Sequence, residues 1–205
     1  MKNHTNKLKY KVISKIYDYL MSNKLFIKAR ERAFSLLSLK SKQHILFVGV
    51  GTGEDFRFIP SDVHITGIDL SQDMLNKAKT KTKTQENQAT LLQMNAEQLQ
   101  FPDESFDVVS LNLILSVVEN PKQALAEALR VTKQTGFLLV FDKFLPEESS
   151  SSISRSIINT ITSFLGTDIN RRFSDICKDL PIQVVYEEPS IFKGNYKIIL
   201  LQRAE

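Results

Sequence analysis

Three alternating glycines, in Gly49-Val50-Gly51-Thr52-Gly53, follow directly on the apolar run Ile45-Leu46-Phe47-Val48. A second apolar run, Val63-His64-Ile65-Thr66-Gly67-Ile68, closes on an acid, Asp69. As neighbouring parallel strands, the two runs describe a crevice where a ligand approaches the glycine turn and a carboxylate accepts hydrogen bonds from ribose hydroxyls. A dinucleotide fingerprint needs a further glycine at position 54, but Glu54 and Asp55 stand there. Those acids suit the positive end of a following helix and repel a pyrophosphate. No Lys-Ser or Lys-Thr follows the glycines, which excludes a Walker-type phosphate loop. A nucleoside without phosphates remains, adenosine joined to an amino acid through sulfur being the natural candidate. Taken alone, the turn could equally be a packing device between strand and helix.

The elements that must position these residues read as alternating strands and helices. Val12, Ile13, Ile16, Tyr17 and Leu20 recur at helical spacing among lysines in Lys7–Met21, which predicts an amphipathic helix. Ser22 or Asn23 can cap a second helix with Phe26, Ala29, Ala33 and Leu37 on one face. Strands are expected at Ile45–Val50, Val63–Asp69, Ala89–Met94, Phe106–Leu111 and Phe137–Phe141. Pro60 ends a short helix after the glycine turn. Ser71 caps a helix Gln72–Thr84, and Pro121 opens a helix Lys122–Thr132. The lysine tract Lys77–Lys83 reads as a solvated helix end. This alternation is the mark of right-handed crossovers and a parallel sheet. The tail differs: helices at Glu147–Leu165 and Phe173–Leu180, then strands Ile182–Glu188 and Tyr196–Gln202 joined by a short turn, hence antiparallel.

Together, Ile45–Gly53, Ile68-Asp69-Leu70-Ser71-Gln72-Asp73-Met74-Leu75, Asn95-Ala96-Glu97 and Phe101-Pro102-Asp103-Glu104-Ser105-Phe106-Asp107-Val108-Val109 resemble the motif series of the class I S-adenosylmethionine-dependent methyltransferases. The resemblance runs from about Gln43 to Phe144. Within the family, Val48–Gly53 and the pair Tyr17-Asp18 most resemble bacterial phosphatidylethanolamine N-methyltransferases, then the ubiquinone/menaquinone-biosynthesis methyltransferases. The resemblance implies an α/β, Rossmann-like three-layer sandwich. Its seven-stranded, mostly parallel sheet would end in an antiparallel C-terminal edge strand, with N-terminal amphipathic helices added. It divides the chain into a basic helical arm, 1–40, and a core, 41–205, with a helical insertion at about 145–180.

The implied cofactor is S-adenosyl-L-methionine. Gly49, Val50, Gly51 and Gly53 would line its methionine part and Asp69 would hold its ribose. Leu70 and Met74 would press on the adenine. Asn95, in the segment Asn95-Ala96-Glu97, stands where the family usually has an acid and would accept from the adenine amino group through its carbonyl oxygen. Asn112 and Leu113 would lie beside the sulfonium. Phe47 replaces an acid common in the first strand and reads as core. Tyr17 is the candidate to close over the methyl group, an amphipathic-face aromatic being the other reading. Asp142 and Lys143, at the exit of strand five, are further candidates on the substrate side. Glu119 reads as a loop carboxylate.

Composition is that of an ordinary globular chain: 205 residues, 42% hydrophobic and 24% charged. No apolar stretch reaches the ~18–20 residues of a membrane span, and the start lacks a secretory pattern. Cys177 is the single cysteine, and no Cys/His cluster has metal-ligand spacing. A cytoplasmic location is the expectation. Residues 1–32 carry nine Lys/Arg against two acids, whereas the overall net charge is only +4. Basicity confined to an arm suits peripheral contact with an anionic membrane better than a grip on nucleic acid. No Asn-Pro-Pro-Tyr or Asp-Pro-Pro-Tyr segment follows strand four, which also argues against methylation of bases. The expected activity is methyl transfer to a small-molecule or lipid head-group acceptor, an amine of phosphatidylethanolamine type. A non-catalytic cofactor-binding module and a quinone-type carbon methyltransferase are the alternatives.

Overall fold

The computed structural model describes residues 23–84, 89–145, 171–192 and 194–204. The predicted helices over Lys7–Met21 and Glu147–Leu165, and with them Tyr17, lie outside the described residues.

Seven strands form one sheet in the order β3-β2-β1-β4-β5-β7-β6. They are β1 (His44–Val48), β2 (His64–Asp69), β3 (Ala89–Gln93), β4 (Phe106–Asn112), β5 (Thr132–Lys143), β6 (Ile182–Pro189) and β7 (Tyr196–Arg203). The first five pair in parallel; β7 is antiparallel to both β5 and β6. The last strand is tucked one place in from the edge. Its run Ile198–Leu201 is buried on both faces and needs a neighbour on each side, whereas β6 exposes Val184 and Val185 and ends in Glu187-Glu188-Pro189. Charges and a proline are tolerated on an edge that must not recruit another strand.

Strand alternation splits the core in two. Ile45, Phe47, Leu139, Phe141, Ile198 and Leu200 face one side, with Phe26, Ala29, Ala33 and Phe34 of helix α1 (Lys24–Ser35) and Ala78 of helix α2 (Gln72–Thr84). Leu46, Val48, Leu138, Val140, Ile199 and Leu201 face the other. There they meet Ala124, Leu125, Ala128 and Leu129 of helix α3 (Pro121–Val131), and Phe173 and Ile176 of helix α4 (Phe173–Cys177). Cys177 packs on the margin of this second core.

Local chemistry sets the helix starts. Asn23 caps α1 by accepting from Leu25 N at 3.1 Å, and Asn120 caps α3 by accepting from Gln123 N at 3.0 Å with Pro121 just inside. Helix α3 runs straight into β5. Thr132 Oγ1 donates back to Ala128 O at 2.7 Å, and Thr132 already pairs with Phe106. The register then jumps to Val108–Phe137, so the strand begins before Gly136, where the sequence placed its break. Among the described residues no helix is long and apolar enough to cross a membrane.

Candidate functional site

The sheet order turns back between β1 and β4, and at such a switch point the strand C-termini leave a crevice. The glycine turn after β1, Asp69 at the end of β2 and Asn112 at the end of β4 all open there.

The turn is held from the neighbouring strand. Val50 N donates to Ile68 O at 2.8 Å, and Asp69 Oδ2 accepts from Gly51 N at 2.9 Å while Oδ1 accepts from Ser71 N at 2.8 Å. Burial pushes the Asp69 carboxyl above the usual aspartate range; the backbone N–H groups of Ser71 and Gly51 oppose that shift. Gly49 and Gly51 both have left-handed φ, +73° and +55°. Their surroundings differ. A Cβ on Gly49 would lie 2.6 Å from Ile114 Cδ1, whereas among the described residues nothing lies within 4 Å of a Cβ on Gly51. Ile114 therefore roofs the first glycine, and the second faces open space.

After the turn the chain forms a 3-10 helix, Glu54–Phe58. Lys81 of α2 reaches back to Glu54 and to Thr52 Oγ1, so this part of the lysine tract braces the glycine turn instead of facing water. Asp55 is half-buried and turns to other partners. Its Oδ2 accepts from Asn112 Nδ2 at 3.0 Å, and its Oδ1 lies 3.3 Å from Arg30 Nε of α1. Burial raises the Asp55 carboxyl, with Arg30 and Asn112 pulling it back.

The loop from Leu113 to Asn120 closes the β4 side and is pinned at three points. Asp142, fully buried, accepts from Ser116 N at 3.0 Å and from Lys143 N at 2.8 Å. Arg171 Nη1 donates to Leu115 O at 2.6 Å and to Val118 O at 2.8 Å. Glu97 Oε1 accepts from Asn120 N at 2.9 Å. Leu113 enters this loop with φ of +58° and is buried.

On the adenine side, Met74 is buried at the start of α2, and Leu70 is 59% exposed beside Asp69. Asn95 Oδ1 accepts from Glu97 N at 3.0 Å, a local turn that leaves the oxygen's second lone pair for another donor; Ala96, next in the chain, is buried. Phe47 is core, with its ring 5.9 Å from Phe34 and 5.5 Å from Phe56.

The glycines, Asp69, Leu70, Met74, Asn112 and Leu113 thus share one edge of the sheet, and Asn95–Glu97 follow β3 at that edge. Sequence reasoning missed Arg30, Ile114 and Arg171, and read Asp55 only as an acid suited to a helix start. Arg30 left a readable trace: it falls on the Phe26–Ala33 stripe of α1, where a charge is out of place unless it has a buried role. Ile114 and Arg171 act across the fold and leave no local pattern.

Comparison with known proteins agrees with this geometry. Residues 46–140 match the sequence family described as "Methyltransferase domain". The phosphatidylethanolamine N-methyltransferase of Cereibacter sphaeroides is 28% identical over 190 residues, 92% of this chain and 93% of that protein. The demethylmenaquinone methyltransferase of Listeria welshimeri is 32% identical over 145 residues, 67% of this chain; the match takes in only 61% of that protein's length. Among solved structures, a SAM-dependent methyltransferase of Methanosarcina mazei gives a TM-score of 0.65 at 18% identity, covering 81% of this chain and 94% of that one. The [4+2]-cyclase SpnF gives 0.72 at 17% identity, covering 86% and 80%. Likeness at that level concerns the fold, and the cyclase shows that the fold alone does not fix the reaction. The open space above Gly51, the Asp69 carboxylate beside it and the buried Asn112 Oδ1, which has no hydrogen-bond partner among the described residues, suit a nucleoside joined to an amino acid. The chain belongs to the class I S-adenosylmethionine-dependent methyltransferases, and S-adenosylmethionine is its cofactor.

Proposed function

We propose that this methyltransferase acts on an amine carried by a small molecule or lipid head group, of phosphatidylethanolamine type. The observation that carries the reading is the extent of the likeness to the Cereibacter sphaeroides enzyme, which spans 92% of this chain and so takes in most of the sequence outside the common core.

The arrangement of acids and bases supports the same reading. A carbon acceptor requires deprotonation, whereas an unprotonated amine already carries the lone pair. The rings of His44 and His64 lie 4.7 Å apart, tilted by 37°, at the start of β1 and β2, the end of the sheet away from the glycine turn. Asp142 and Glu97, which lie nearer, already accept from Ser116 N and Asn120 N. When bound, S-adenosylmethionine supplies a methyl group on a sulfonium, whose transfer needs alignment and exclusion of water. Asp69, Leu70, Met74, Asn95, Ala96 and Glu97 would hold the nucleoside. Gly49, Val50, Gly51, Gly53, Asn112 and Leu113 would border the amino-acid end and the sulfonium. Ile114 and the pinned loop behind it would keep water out.

Contact with an anionic membrane belongs to the same proposal. Lys24 and Lys28 are exposed on α1 beside Leu25, which is 43% exposed, and Phe192 is 52% exposed where it packs on Phe26. The Phe192 turn leads into Tyr196, which pairs with Lys143 at the C-terminal end of β5. Basic and apolar groups therefore share the edge where the crevice opens, and Lys24 and Lys28 are part of the basic segment 1–32.

The test is methyl incorporation from labelled S-adenosylmethionine into vesicles of phosphatidylethanolamine with an anionic lipid, alongside a demethylated quinol. Transfer to the lipid amine is expected, with salt-sensitive sedimentation on the vesicles. Methylation of the quinol alone would replace this reading with the carbon-acceptor one, which the 32% identity to the Listeria welshimeri enzyme favours. Sedimentation unchanged after neutralising the lysines of 1–32 would remove the membrane contact.

A further inference from the structure

Phe47 leaves the end of β1 without an acceptor, and the structure carries its acid elsewhere on the same face of the sheet. Alternation along β4 turns Val108 toward α1 and Leu111 away, so Asn112 faces α1. It is 9% exposed, and its Oδ1 is buried without a hydrogen-bond partner among the described residues, while its Nδ2 donates to Asp55. Asp55 Oδ1 meets Arg30 Nε at 3.3 Å as a charge contact without hydrogen-bond alignment. Arg30 is itself only 6% exposed. A buried arginine, a half-buried aspartate whose side chain is only 14% exposed and an amide oxygen lacking a donor, gathered beside the glycine turn, are costly in a purely structural role. Hydrophobic groups of similar size would fill the same space at least as well.

We propose that Arg30, Asp55 and Asn112 are a receptor for the amino-acid end of S-adenosylmethionine, with Asp55 and Asn112 accepting from the ammonium and Arg30 meeting the carboxylate. A zwitterion is the ligand such a set fits. It brings one charge of each sign on neighbouring atoms, so the pocket stays neutral when Arg30 and Asp55 turn from each other to the ligand. The ammonium also supplies the donors that Asn112 Oδ1 lacks. Because Arg30 belongs to α1, the helix in which the basic segment ends becomes part of the cofactor site, and occupancy stabilises its docking on the sheet. The inference is independent of which acceptor is methylated.

Calorimetry with two probes tests it: S-adenosylhomocysteine, which has the amino-acid end, and 5′-methylthioadenosine, which keeps the nucleoside and thioether but lacks that end. For Asp55→Asn and Arg30→Met, affinity for S-adenosylhomocysteine should fall on the order of 10–100-fold, as for loss of one charge-assisted hydrogen bond. Affinity for 5′-methylthioadenosine should stay within about threefold, which also shows that the variants are folded. Asp69→Ala should weaken both probes alike. Amide exchange across Lys24–Ser35 should slow more with S-adenosylhomocysteine than with 5′-methylthioadenosine, and Asp55→Asn should abolish that difference. Equal losses for the two probes in Asp55→Asn, or no loss for either, would overturn the proposal. Wild-type protein that takes up neither probe would overturn it together with the cofactor assignment.

Discussion

Replacing Gly51 by alanine separates the cost to the fold from the cost to the ligand. The residue sits at φ +55°, where an L side chain is strained by roughly 1–2 kcal/mol. Nothing among the described residues lies within 4 Å of the added methyl, so no packing clash is added to that strain. For a chain of this size the melting temperature should fall by about 2–8 °C. A ligand lying against the turn meets the methyl directly. Forcing one methyl into close-packed space costs roughly 1–3 kcal/mol, which is about 5- to 150-fold in affinity for S-adenosylhomocysteine. Gly49→Ala should do the reverse. Its methyl would lie 2.6 Å from Ile114 Cδ1, so the roof of the turn must shift and stability should suffer more than at Gly51. Thermal melts and calorimetry on both variants make the measurement. If Gly51→Ala shows the modest melting shift with unchanged affinity, the open space over the turn is not where the cofactor lies.

Three further outcomes are expected. Burial holds the Asp69 carboxyl above the ordinary aspartate range, so protonation on acidification should weaken S-adenosylhomocysteine binding at a higher pH than an exposed aspartate would give. Asp69→Asn should bind more weakly at neutral pH and lose that acid limb in a calorimetric pH series. Arg130 holds Glu127 through two hydrogen bonds of 2.9 Å and also donates to Leu99 O and Phe101 O; Arg130→Met should destabilise by about 2–4 kcal/mol in urea melts. Glu127 is held low first by that arginine, so its contribution is complete above the unfolded glutamate pKa and is lost as pH falls through the lowered folded value. The gap between wild type and variant should therefore close in acid. Phe47→Glu buries an acid among the rings of Phe34 and Phe56 and should lower the melting temperature by more than 10 °C, on the order of 3–5 kcal/mol; a stable variant with tighter cofactor binding would contradict the core role of Phe47.

What could be read from the sequence was what local chemistry decides. Helix α2 spans Gln72–Thr84 as expected, and Asn23 is one of the two caps that the sequence offered for α1. The glycine turn and Asp69 come together because β1 and β2 are consecutive parallel strands in one register, and a hydrophobic run ending in Gly or Asp already says where each strand stops. Features set by distant segments were not legible. The position of β7 inside β6 depends on which of two strands can bear an edge. The anchoring of the 113–120 loop depends on Asp142 and Arg171, of which the second lies more than fifty residues from the carbonyls it holds. Arg30 is the intermediate case. Periodicity places it on the buried stripe, but its meaning appears only once Asp55 and Asn112 are beside it.

The two oxygens of Asp69 already fasten Gly51 and Ser71 while each keeps a second lone pair. A sugar can therefore dock on oxygens whose orientation was fixed when the chain folded, without first displacing an internal bond. Uptake of the nucleoside should then be a single bimolecular step whose observed rate rises linearly with ligand concentration. Whatever slower rearrangement the enzyme makes would belong to the amino-acid end and to the helix that carries Arg30.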